Sequence, residues 1–190
     1  MDTAVRRRAL GRGVAIGVLV TAVVIIALVL FNESDDKGDK ATTLGAIPTA
    51  TSEHGEIAPS GEFERFDGTK ATFTDYRGTP LVVNFFASWC APCVREMPDL
   101  ESVHRELGAK VAFLGMNNQD RAADGEAIAK KAGVTYDLAR DPKGEFLSAF
   151  GGIVMPTTVF IAPDGKVVEV HNGALSADDL KAELHKLFGT

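Results

Sequence analysis

The chain has 190 residues, 45% of them hydrophobic and 24% charged, and a formal net charge of −6. That length and apolar content build one full core and leave too little chain for a second large domain. From Glu62 onward 14 Lys plus Arg face 19 Asp plus Glu, a net of −5, with no basic stripe interleaved with aromatics, and this balance argues against a nucleic-acid partner.

Residues 13–31, GVAIGVLVTAVVIIALVLF, are 19 residues without a charge. At about 1.5 Å per helical residue the run reaches about 30 Å, the thickness of one hydrocarbon core. It reads as a transmembrane signal anchor. Arg6, Arg7, Arg8 and Arg12 precede it while Glu33, Asp35 and Asp36 follow, so the basic N-terminus, residues 1–12, is expected in the cytoplasm and the remainder outside. Two other readings stand beside this one. A cleaved signal peptide would need an A-x-A-like site after the run, and none follows. A twin-arginine signal is suggested by RRRAL, but the run is long for one. Residues 32–58 turn polar and small, with scattered Pro and Gly, and read as a flexible linker spanning about 30 Å. Residues 59–190 form the globular domain.

Within that domain EFERF and KATFT alternate around Asp67 and Gly68 and predict a β-hairpin. PLVVNFFA is a near-continuous apolar run, as a strand buried on both faces requires. Val94, Met97, Leu100, Val103 and Leu107 then recur at helical spacing, with Pro98 expected to bend the helix. KVAFLGMN predicts a second buried strand, and RAADGEAIAKKAG a helix ending at Gly133. VTYDL predicts a short strand and GEFLSAF a short helix. PTTVFIAPDGKVVEVH reads as two strands joined by a turn at Pro163, Asp164 and Gly165. SADDLKAELHKLF predicts the last helix, with Ser176 and Asp179 as a capping box and Leu180, Leu184 and Leu187 facing inward. The sum is an α/β fold with helices over a mixed sheet.

The chain's two cysteines, Cys90 and Cys93, stand two residues apart where the first buried strand meets its helix. Cys90 therefore falls at a helix N-terminus, where unpaired N–H groups and the positive dipole end favour a thiolate. Pro92 suits the first turn because its missing N–H costs nothing there. Cys90 is expected to be the exposed nucleophile and Cys93, one turn deeper, the resolving thiol. A zinc site would need two further ligands, and His54, His104, His171 and His185 are too dispersed to supply them. A structural staple closing so short a loop would constrain the unfolded chain little. No metal or other cofactor is expected.

FFASWCAPCVREMP, followed by VMPTTVFIAPDGKV, resembles the membrane-anchored thioredoxin-like proteins of bacteria, the TlpA and ResA group of thiol-disulfide oxidoreductases. The resemblance covers roughly residues 61–190. It implies a thioredoxin-like fold, a central mixed sheet with helices on both faces, an N-terminal β-hairpin and a central strand-helix insertion, preceded by one transmembrane helix. It also implies that Pro156 is cis and faces the redox-active disulfide, so that Met155 offers its N–H and C=O to an extended substrate. Trp89 is expected on the docking rim, and Phe86 beside it in either the rim or the core. Thioredoxin carries a buried aspartate where this chain has Asn84. Glu96 stands where the group has a glutamate, three residues after the second cysteine. Two readings of Glu96 are open, a modulator or proton shuttle for the cysteines and a carboxylate complementing the first helical turn.

Ala91 and Pro92 add no charge beside Cys90. A modestly stabilised thiolate makes a reductant rather than an oxidant. The resemblance then implies an extracytoplasmic domain held to the bacterial cell membrane, recharged by a membrane thiol donor of the DsbD or CcdA type. Its implied substrates are protein disulfides such as those of apocytochrome c during cytochrome c maturation. A disulfide oxidase of the same fold would share every residue named. A copper chaperone of the Sco type would carry Cys-x-x-x-Cys and a histidine near Pro156. A peroxiredoxin would need a threonine where Ala87 stands.

Overall fold

The computed structural model describes residues 55–190. The basic N-terminus, the anchor at 13–31 and the linker as far as residue 54 lie outside the described residues. Among those described, no helix is long and apolar enough to cross a membrane.

The chain enters along residues 165–167, at the start of the last strand. Gly55 donates its N–H to the carbonyl of Val167, Val167 donates to Glu56, and Ala58 donates to Gly165. Residues 55–58, which the sequence reading assigns to the linker, are thus paired to the sheet's edge. A short hairpin follows, β1 (Phe63–Glu64) antiparallel to β2 (Lys70–Ala71). It is much shorter than EFERF and KATFT suggest. Thr72 leaves the ladder because the Asp75 carboxylate accepts its N–H at 2.8 Å, starting a 3-10 turn at Phe73–Tyr76.

The core is β3 (Leu81–Phe86), all six residues buried. It runs parallel to β4 (Ala112–Asn118) and antiparallel to β6 (Thr157–Ile161). With β5 (Asp137–Asp141) and β7 (Val167–Asn172) the sheet order is β5-β4-β3-β6-β7. β5 begins three residues later than VTYDL predicts. Val134 and Tyr136 pack into the core instead, and the Thr135 N–H goes to the Glu101 carboxylate at 2.8 Å, so these residues are unavailable to the ladder.

Alternate residues of β3 serve opposite faces, as the strand period requires. Leu81, Val83 and Phe85 join Phe63, Phe73, Phe146 and Phe150 on one face. There the Phe73 ring lies 5.0 Å from Phe63, 5.4 Å from Phe146 and 5.2 Å from Phe150, tilted or edge-on, and covers ground that the short α3 (Glu145–Ala149) leaves open. On the other face Val82 meets Leu100 and Val103 of α1 (Ala91–Leu107) and Leu180 and Leu184 of α4 (Ala177–Phe188). Ala129 of α2 (Ala122–Ala132) lies beside them, with Phe86, Cys93 and Met97. Leu180 and Leu184 are buried and Leu187 partly so. The last helix is capped as predicted on one side only: Ser176 Oγ accepts the Asp179 N–H at 3.2 Å, while the Asp179 carboxylate returns to that hydroxyl at 2.6 Å. β5 and α3, between α2 and β6, stand where the resemblance implies an extra strand and helix.

Candidate active site

β3 ends at Phe86, and a tight turn, with the Cys90 N–H on the Ala87 carbonyl at 3.1 Å, delivers Cys90 to the N-cap of α1. Cys90 and Cys93 are joined in a disulfide with their Cα atoms 5.3 Å apart. The Cys93 N–H, one of the donors a helix start leaves unpaired, points at Cys90 Sγ at 3.3 Å. Cys90 is 5% exposed and Cys93 0%. The expectation of an exposed Cys90 needs correction: in the disulfide it is nearly covered, inside an apolar cluster that includes Phe86, Ala87 and Met97 and against which Met155 packs. The order of accessibility nonetheless favours Cys90.

Opposite stands the loop before β6. The Met155–Pro156 peptide is cis and Pro156 is buried. Thr157 Oγ1 donates to the Val154 carbonyl at 2.6 Å, and the Gly173 N–H to the Pro156 carbonyl at 2.8 Å. Among the described residues, the N–H and C=O of Met155 between them have no hydrogen-bond partner. Ile153 is 83% exposed and Val154 half exposed, while Trp89 is 62% exposed across the disulfide. Phe86 is fully buried and belongs to the core.

On the buried face of α1 lies Glu96, 3% exposed. Oε1 accepts from Asn84 Nδ2 at 2.8 Å and Oε2 from the Leu175 N–H at 3.1 Å. Asn84 Nδ2 also donates to Thr158 Oγ1 at 3.2 Å. Burial pushes the Glu96 carboxyl up to about 7, against the two hydrogen bonds that hold it down. The reading of Glu96 as a first-turn charge fails, since the first turn of α1 holds no acidic residue and Glu96 is inside the protein. The spacing of three residues sets it one helical turn beyond Cys93.

A third wall was not legible in the sequence. The loop after β4 places Asp120 against the turn before Cys90: Oδ2 accepts the Ser88 N–H at 2.6 Å and Oδ1 the Ser88 hydroxyl at 2.9 Å. Asn117 Nδ2 adds 3.0 Å to Oδ2 and the Arg121 N–H 2.9 Å to Oδ1. Burial would raise the Asp120 carboxyl, but the bonds from Asn117, Ser88 and Arg121 outweigh it and hold the group below the usual range. Gln119, at φ 47°, presents its carbonyl to Trp89 Nε1 at 3.4 Å, and Asn118 Nδ2 lies 3.4 Å from Met155 Sδ. The only sequence signal is that NNQD, a polar run, ends an apolar strand at the carboxyl end of the sheet, where the cysteines stand. Among the described residues, no three His, Cys, Asp or Glu side chains are grouped as metal ligands.

A thioredoxin-like sheet that presents a Cys-x-x-Cys disulfide at a helix N-terminus, opposite a cis-proline loop, defines a thiol-disulfide oxidoreductase. Comparison with known proteins agrees. The AhpC/TSA family model matches residues 54–170, and the chain belongs to that family, among its ResA-type thiol-disulfide oxidoreductases. The thiol-disulfide oxidoreductase ResA of Geobacillus thermodenitrificans is 31% identical over 136 residues, 70% of this chain and 77% of the relative. A DsbF homologue from Corynebacterium diphtheriae is 28% identical with a TM-score of 0.62, covering 80% of this chain and 100% of that one. A thiol:disulfide interchange protein of the thioredoxin family from Chlorobium tepidum is 27% identical with a TM-score of 0.62, covering 72% and 98%.

Proposed function

We propose that the protein is a membrane-anchored, extracytoplasmic reductant of protein disulfides, with apocytochrome c as the substrate class. The observation that carries this reading is that Met155 packs against the apolar cluster that holds Cys90, and its free N–H and C=O can align an extended peptide as an added strand. Trp89, Ile153 and Val154 give that peptide apolar ground on either side.

In the reduced state the Cys90 thiolate attacks one sulfur of the substrate disulfide. A mixed disulfide forms, and the second substrate sulfur leaves as a thiolate that takes up a proton. Cys93 then loses its proton and attacks Cys90 Sγ, releasing the first substrate sulfur and closing the Cys90–Cys93 disulfide. Two electrons pass to the substrate, and a membrane thiol carrier of the DsbD or CcdA type returns them. Glu96, buried one turn from Cys93 and with its carboxyl near 7, is the group suited to accept the Cys93 proton.

The surroundings of Cys90 support the reductant direction. Ala91 and Pro92, which follow Cys90, carry no charge, and Cys90 is buried in one apolar cluster with Phe86, Ala87 and Met97. The Cys93 N–H and the helix terminus favour the thiolate only modestly, which suits a reductant. The reading is tested in cells: loss of the protein should impair cytochrome c assembly, external thiol should restore it, and a reporter fused after Thr190 should lie outside the cytoplasm. Rescue by cystine instead of thiol would mark an oxidase.

A further inference from the structure

We propose that Asp120 is a positioning residue of the exchange reaction: its carboxylate clamps Ser88, fixing the turn that carries Cys90, and its fixed negative charge keeps the Cys90–Cys93 couple reducing. The inference rests on the dithiol reading above.

Three observations support it. First, the carboxylate is fully engaged. Its four hydrogen bonds come from Ser88 N–H, Ser88 Oγ–H, Asn117 Nδ2 and the Arg121 N–H, two on each oxygen, so it is held in one place and stays ionised. The Arg121 guanidinium feels the Asp120 charge but makes its direct pair with Asp124, at 2.5 and 3.0 Å, so only its backbone N–H bonds Asp120. Second, the position is kept by close packing. A Cβ on Gly125 would meet three side-chain atoms of Asn117 at 2.5 to 2.7 Å, so α2 and Asn117 are fitted together and leave Asn117 little room to turn away from Asp120. Third, the clamped residue is two positions before the nucleophile, which bounds its Cα at about 7 Å from that of Cys90. The same loop takes the Trp89 indole on the Gln119 carbonyl, so residues 88 and 89 are both tied to the loop after β4.

The electrostatic sign is fixed. A negative charge near Cys90 opposes its thiolate, which raises the energy of the reduced, ionised state and lowers the potential. Removing the charge should stabilise the thiolate and make the couple more oxidising. The clamp has a separate effect, because a free turn would let the Cys90 sulfur wander from the line of attack.

The experiment uses the domain in its full chain, equilibrated with glutathione and followed by thiol labelling, together with the rate of reduction of a disulfide peptide. Asp120→Asn keeps an oxygen for Ser88 but loses the charge, and should shift the equilibrium with glutathione toward the reduced protein by about threefold to tenfold, tenfold being about 30 mV. Ser88→Ala keeps the charge and loses one bond, so it should leave the potential in place and slow peptide reduction by about twofold to tenfold. An Asp120→Asn potential within twofold of wild type overturns the electrostatic role. An unchanged rate in Ser88→Ala, with that variant melting at the wild-type temperature, overturns the clamp. A wild-type protein that fails to exchange with glutathione would instead overturn the dithiol reading itself, and so the two failures are distinguishable.

Discussion

Glu96 Oε1 accepts a hydrogen bond from Asn84 Nδ2 at 2.8 Å inside the core, and no salt bridge among the described residues reaches the carboxyl. A buried carboxyl without a cation holds its proton more tightly in the folded chain than in the unfolded one. Its pKa rises from 4.5 to about 7.

The consequence for stability has a definite sign. The folded state is favoured by the tighter proton below pH 4.5, and that advantage is lost as pH rises toward 7. Denaturant unfolding of the oxidised protein at pH 5 and pH 8 should therefore show a loss that Glu96→Gln lacks. The difference between the two proteins should be on the order of 1–3 kcal/mol. Equal pH slopes would mean that Glu96 ionises as freely folded as unfolded.

The same group should mark turnover. If Glu96 accepts the Cys93 proton, the rate of peptide-disulfide reduction should change across pH 6 to 8, around its pKa of about 7. Glu96→Gln should flatten that inflection while leaving Cys90 and Cys93 able to close their disulfide. An inflection that survives the substitution belongs to another group.

The two sulfurs should behave unequally. Cys93→Ser should accumulate mixed disulfides through Cys90, and Cys90→Ser almost none, because Cys93 is fully buried. Gel mobility of the trapped species under non-reducing conditions reads this directly, and equal trapping by both variants would reverse the assignment of roles.

Gly125→Ala should go against the usual helix rule. An exposed glycine in a helix interior ordinarily gains about 1 kcal/mol when replaced by alanine. Here the new methyl would sit 2.5 Å from Asn117 Nδ2, and Asn117 is buried and tied to Asp120. The variant should lose about 1–3 kcal/mol in denaturant unfolding, and a gain would show that Asn117 moves freely.

The sequence carried the sheet strands and the redox motif because each is written in consecutive residues: PLVVNFFA becomes β3 and Cys-x-x-Cys the start of α1. Elements decided by distant partners were harder to read. Thr135 looks like a strand residue, but Glu101, 34 positions away, takes its N–H and its hydroxyl, and β5 starts beyond it. Cys90 reads as exposed from its place at a helix start, but it is buried in a cluster against which Met155 packs from a loop 65 residues further on. Glu96 could be read two ways because depth is not visible in a one-turn spacing. Asp120 escaped notice for the same reason, since its bond to Ser88 spans 32 residues.

One hydrogen bond sets an order of events in making the molecule. The Leu175 N–H that serves Glu96 Oε2 is 79 residues further along the chain. A chain synthesised from its N-terminus displays both cysteines while Leu175 is still unmade, and so Glu96 then has only part of its setting. The hydrogen-bond setting of Glu96 is finished only when the segment leading into α4 docks. A nascent or truncated chain that stops short of residue 175 therefore carries both thiols without the completed surroundings of Glu96, and its cysteines should oxidise and exchange like those of an ordinary unfolded peptide.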